Sequence, residues 1–218
     1  MKKTLLVVLF GISNLCISQS ISEIDSFSNS MCEYLRTLEI ENDTLKIETL
    51  YQEKFYPYLN KIDEIKVDKV GQQVYYRLQR NCVEFRELLD RLDPPKEAVS
   101  RTTEKPKPKI KRKEIKEFKK NNEFYYFEAS GETTTVRMEN NNWTDSFSDN
   151  TVSELNYKWL NETEFELTFI RSDNETRKNL SVKGDKYVYQ VLSKEDDYYL
   201  MSVNIPGQTV FEKFKLYY

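Results

Sequence analysis

Up to about residue 93 the apolar side chains return every three or four positions, and beyond residue 115 they alternate with polar ones. The first regime predicts helices and the second predicts strands. Ile21, Ile24, Phe27, Met31, Tyr34, Leu35 and Leu38 define one helical stripe, and Ser20 with Glu23 has the spacing of a capping box. A second helix is expected to start at Asn42-Asp43-Thr44 and to run through Leu50, Tyr51, Phe55, Tyr58 and Leu59, with a kink at Pro57. Val70, Val74, Leu78, Cys82, Phe85, Leu89 and Leu92 form the clearest stripe, stopped by Pro94-Pro95. Short connectors predict that the three pack up-down-up as a bundle over 19–93.

Residues 115–218 carry the alternating pattern. Strands are expected at Phe124 to Glu128, Thr134 to Met138, Trp143 to Phe147, Leu155 to Trp159, Glu164 to Phe169, Tyr187 to Leu192, Met201 to Ile205 and Phe211 to Tyr217. Turn signals separate them, among them Gly131, Asp149-Asn150, Ser172-Asp173-Asn174, Gly184-Asp185, Glu195-Asp196-Asp197 and Pro206-Gly207. Eight short strands in succession make an antiparallel meander. Closure would remove its exposed edges, so a small up-and-down barrel, lipocalin-like in outline, or a strongly curved sheet is expected. The fold class is thus α+β, with two segregated domains.

Between them, residues 94–114 read as a linker. Residues 94–113 hold 8 basic and 2 acidic side chains and four of the six prolines, whereas 19–93 and 115–218 are both acidic. Proline removes backbone donors and like charges repel, so an extended, solvated spacer is expected. Its lysines invite a nucleic-acid or anionic-membrane reading, but no aromatic is interleaved among them, and a spacer without nucleic-acid contact is the simpler expectation.

The N-terminus changes the setting. Lys2 and Lys3, the apolar run Leu5 to Ile12 and the small residue Ser18 read as a secretory signal peptide over residues 1–18. The run is too short to span a bilayer, which takes about 20 apolar residues, and no later segment is apolar enough to serve as a transmembrane span. The alternative is lipid attachment at Cys16, before which Asn14 and Leu15 are poor residues. A periplasmic or extracellular chain would keep only Cys32 and Cys82, and an even pair in an oxidising compartment is most simply a disulfide. With helix starts near Ile21 and Lys69, a 1.5 Å rise puts the two thiols about 16 Å and about 20 Å along parallel axes. A metal site or a catalytic thiol is the alternative, and either would want partners that a chain with no His does not supply.

The lack of His also removes the usual general base and every Ser-His or Cys-His pair. No cofactor is expected, and a non-enzymatic role is favoured over carboxylate, Lys or Tyr chemistry. Glu164 with Glu166 and Asp196 with Asp197 read as a solvent-facing strand pair and a turn, without a calcium-loop pattern. Asn42, Asn142, Asn161, Asn174 and Asn179 begin glycosylation triplets, a short motif in an Asn-rich chain. The aromatic-rich strands offer the most chemistry. Trp143, Tyr157, Trp159, Tyr187 and Tyr189 are candidate walls for a small apolar ligand inside a barrel; alternatively, they fill a core. A partner surface in the cell envelope, contacted by the β domain or docked by the helical one, is the other function class.

MCEYL around Cys32, RNCVEF around Cys82, then NNWTD, YKWLNETEFELTFI, GDKYVYQVL and DDYYLMSV together resemble uncharacterised exported proteins of flavobacterial type. The resemblance implies a two-cysteine helical N-terminal domain followed by a small antiparallel β domain, and brings no established site residues. Many such proteins have Cys where Thr163 stands here.

Overall fold

The computed structural model describes residues 20–97 and 99–218. The signal peptide expected over residues 1–18, with Cys16, lies outside them. The chain is α+β: helices accompany an eight-stranded antiparallel barrel.

Helix α1 spans Ile21–Thr37 and starts with the expected capping box, Ser20 and Glu23 each satisfying the other's backbone N–H. Helix α2, Asp43–Leu50, is capped by Asn42 and runs into a π-helical turn, Tyr51–Phe55, before α3, Tyr56–Leu59. Pro57 has no N–H to continue the ladder, and the wider turn upstream, with Tyr56 N–H bonded to Tyr51 O, accommodates the ring where a kink was expected.

The third stripe is not one helix. It is α4, Val67–Asn81, and α5, Val83–Leu92, separated by Cys82 in an extended conformation. Cys82 is bonded to Cys32 across a 5.6 Å Cα separation, so the expected disulfide joins α1 to the break. A helix interrupted there leaves carbonyls without donors. Arg86 Nη1 donates to Gln79 O (2.6 Å) and Arg80 O (2.8 Å), and Gln208 Nε2, from a barrel turn, donates to Arg80 O at 2.7 Å. Ile24, Met31, Leu35, Leu50, Val74, Leu78, Phe85 and Leu88 form the core of this helical part.

The barrel strands fall where the alternation puts them: β2 Glu123–Phe127, β3 Thr133–Glu139, β4 Asn142–Ser146, β5 Val152–Trp159, β6 Glu164–Ser172, β7 Lys186–Lys194, β8 Tyr198–Asn204 and β9 Phe211–Tyr217. Each pairs antiparallel with the next, and β9 closes the barrel on β2 through Tyr125 and Tyr217. The two-residue turn between β3 and β4 places Asn140 and Asn141 at positive φ, a conformation Asn tolerates and the strand twist favours.

The segment expected to be a free spacer is extended but tied down. Strand β1, Ser100–Thr102, pairs with the start of β9, filling the seam that the single β2–β9 bridge leaves open. Further on, the N–H groups of Lys109 and Ile110 both donate to Leu192 O, a carbonyl that a bulge in β7 leaves free. The chain then forms helix α6, Arg112–Phe118, which plugs one end of the barrel. Phe118 is fully buried there against Phe124, Trp159, Phe165 and Tyr199. Glu164, expected to face solvent, is buried at 9 % exposure beneath this segment. It accepts from Asn161 Nδ2 at 2.6 Å and pairs with Lys105.

The opposite end meets the helical part through helix α7, Glu175–Leu180, in the β6–β7 connection. Arg77 of α4 is buried, at 2 % exposure. It binds both carboxylate oxygens of Asp25 (2.6 and 2.8 Å), Leu180 O (2.9 Å) and Asp185. A second joint links Arg86 and Arg101 to Glu212 of β9, with Arg101 also on Asp90.

Candidate functional site

Inward-facing residues are packed at the α6 end and leave space at the other. The space is a cavity of about 370 Å³ between the strand ends and the start of α5. Its walls are aromatic and aliphatic, with Tyr126, Trp143, Leu155, Phe169, Tyr189 and Phe214 as the main apolar surfaces. This volume lies within the range of small-molecule sites.

The five aromatic candidates divide between the two ends. Trp143, Tyr187 and Tyr189 line the cavity. Tyr157 and Trp159 do not; both pack on the barrel core, and Trp159 lies 5.0 Å from Phe165 with Lys119 Nζ 3.9 Å above its ring. The parity of β5 turns Leu155, Tyr157 and Trp159 to one face, so the same strand serves the cavity at its start and the plug at its end.

The polar members were not among the candidates. Asp145 follows Trp143 by two residues on β4, so the alternation that points the indole inward points this carboxylate inward as well. It is 8 % exposed. Trp143 Nε1 donates to Asp145 Oδ1 at 2.8 Å, and Oδ2 has no hydrogen-bond partner among the described residues. Burial pushes the carboxyl up to about 6, with nearby Arg177 and the indole N–H opposing that shift. Arg177 reaches in from α7, its Nη2 donating to both oxygens of Glu128 (2.6 and 2.8 Å), while Thr134 Oγ1 donates to Glu128 Oε1. Burial and the neighbouring Asp145 raise the Tyr126 hydroxyl well above its ordinary range. Nearer the mouth, Tyr187 Oη shares a hydrogen bond with Ser181 and accepts from Arg80 Nε at 3.2 Å.

The raised Asp145 carboxyl makes stability depend on pH. Between the unfolded value, near 4, and about 6 the native state binds more protons than the unfolded chain, so stability falls as pH rises through that window. Asp145→Asn, which keeps an acceptor for Trp143, is expected to match wild type below pH 4 and to exceed it above pH 6 by roughly 3 kcal/mol. Urea titrations of both proteins from pH 3.5 to 8 check this; a constant difference across the range would contradict it.

Cys32, Cys82 and Glu84 lie close enough to hold a cation, but the two sulfurs are joined in the disulfide, which leaves the Glu84 carboxylate on Arg36. No helix among the described residues is long and apolar enough to cross a membrane. The chain matches no protein-family model, no curated protein and no solved structure.

Proposed function

We propose that this is an exported, non-enzymatic binding protein whose barrel takes up one small, largely apolar molecule at the end covered by α5 and α7. The cavity carries the reading: about 370 Å³ of space walled by Tyr126, Trp143, Tyr187, Tyr189 and Phe214, in a barrel whose other end is packed solid by Phe118. Walls of this kind offer an apolar molecule of matching size many close contacts, with a few polar groups to orient it. In this reading residues 1–18 direct export, the Cys32–Cys82 bond fits an oxidising compartment, and the chain is a relative of the exported flavobacterial proteins it resembles. The helical part then acts as a cover for the mouth, since Gln79, Arg80 and Arg86 contribute to the cavity wall.

The neutral dye N-phenyl-1-naphthylamine tests the reading. It is expected to brighten on binding with one-to-one stoichiometry, and Leu155→Trp, which fills the cavity from β5, is expected to weaken uptake by about tenfold or more, the loss of roughly 1.4 kcal/mol of contact. Equal dye binding by wild type and Leu155→Trp, or none by wild type, would argue against it.

A further inference from the structure

The charges around the cavity fall into balanced sets with one remainder. Arg77 and Arg80 face Asp25 and Asp185; Arg86 and Arg101 face Glu212 and Asp90; Arg177 faces Glu128. Asp145 is left over, with no cationic side chain within 4 Å among the described residues and one carboxylate oxygen unpartnered. The one nearby cation, Arg177, is already hydrogen-bonded to Glu128, so keeping Asp145 charged is costly, and a cationic group placed on its free oxygen would offset that cost. The surroundings suit that cation: Asp145 sits beside Trp143, whose ring centroid is 5.7 Å from that of Tyr189, and Tyr126 approaches from β2. Aromatic faces around a carboxylate attract an ammonium both by charge and through the ring quadrupoles.

We propose that the cavity selects molecules bearing a protonated amine on an apolar body, the ammonium docking on the free oxygen of Asp145 among the rings of Tyr126, Trp143 and Tyr189. The proposal rests on the reading of the barrel as a small-molecule site and assigns that site its ligand class.

Three probes of nearly equal shape separate the two claims: 1-naphthylmethylamine, 1-naphthalenemethanol and 1-naphthoate, titrated calorimetrically into the full chain at pH 8. The amine is expected to bind at least about tenfold more tightly than the alcohol, the ratio one charge-assisted hydrogen bond supplies, and the carboxylate least well. Asp145→Asn is expected to bring amine and alcohol together. Lowering the pH to 5 is expected to do the same in wild type, because Asp145 then gains a proton. Of the other groups facing it, Tyr126, Trp143 and Tyr189 are uncharged, Arg177 keeps its charge, and Glu128 is already held by Arg177. At the mouth, Arg80 and Arg86 remain charged against Asp185 and Glu212. An alcohol that binds as well as the amine, or an amine preference that survives Asp145→Asn or pH 5, would overturn the amine assignment and leave the cavity standing. Failure of all three probes and of the neutral dye would remove the binding site itself.

Discussion

Arg77→Ala is expected to lower the free energy of unfolding by about 3–5 kcal/mol, because it takes from Asp25 its one cationic partner among the described residues and leaves Asp185 with Arg80 alone. Asp25 and Asp185 both bind Arg77, and Asp185 also accepts from Val182 N–H at 3.0 Å in the turn leading into β7. The joint therefore connects α1, α4 and the mouth of the barrel through a single side chain. Urea denaturation followed by far-ultraviolet circular dichroism and by tryptophan fluorescence measures the loss on both parts. Arg36→Ala provides the contrast. Its pair with Glu84 is about half exposed on both sides, and an exposed pair contributes about 1 kcal/mol or less. Equal small losses from the two substitutions would show that the buried cluster does not join the helices to the barrel.

Removing the disulfide is the second large change. In Cys32→Ala with Cys82→Ala the closed loop of 50 residues is released, and the chain-entropy model puts the loss at about 4 kcal/mol. The helical part has a small core, so the loss falls mainly there. The wild-type protein in reductant is expected to behave like the double variant, and the double variant is expected to be insensitive to reductant. A double variant as stable as wild type would show that packing around Phe85 and Leu88 alone fixes the break between α4 and α5.

Much of the barrel is legible in the sequence because a half-buried strand writes its two faces as an alternation. In Phe165 to Phe169 and Thr134 to Met138 the inward residue types follow the observed burial, with Glu164 the exception at the start of its strand. Asp145 is legible in the same way: an acid two residues from Trp143 on an apolar face is an exception with a meaning. The interruption at Cys82 is not. The apolar stripe runs unbroken from Val74 through Cys82 to Phe85, and the donors that make the break tolerable are Arg86, four residues on, and Gln208, from the far end of the chain. Helix α6 escapes the periodicity argument because its apolar contacts are Ile115 and Phe118 alone, within one turn. Helix α7 is shorter still, and it owes its position to the Asn174 cap and to the contact with α4. Basic composition and prolines lead to the expectation of an extended, solvated spacer over 94–114, yet they carry no sign that a bulged carbonyl in β7 and the open edge of β9 hold Ser100–Thr102, Lys109 and Ile110 against the barrel.

The two tryptophans both pack on Phe165, at 6.0 and 5.0 Å between ring centroids, but only Trp143 lines the cavity, which supplies an internal control for its central property. Trp143 Nε1–H points to Asp145 at the cavity, whereas Trp159 packs beside Phe118 at the plugged end. Their indole N–H signals, assigned with Trp159→Phe and followed by nuclear magnetic resonance during titration with N-phenyl-1-naphthylamine, report on the cavity and the plug separately. The Trp143 signal is expected to shift and saturate at one dye per chain while that of Trp159 stays in place; a shift confined to Trp159, or none in either, would contradict a ligand-holding barrel.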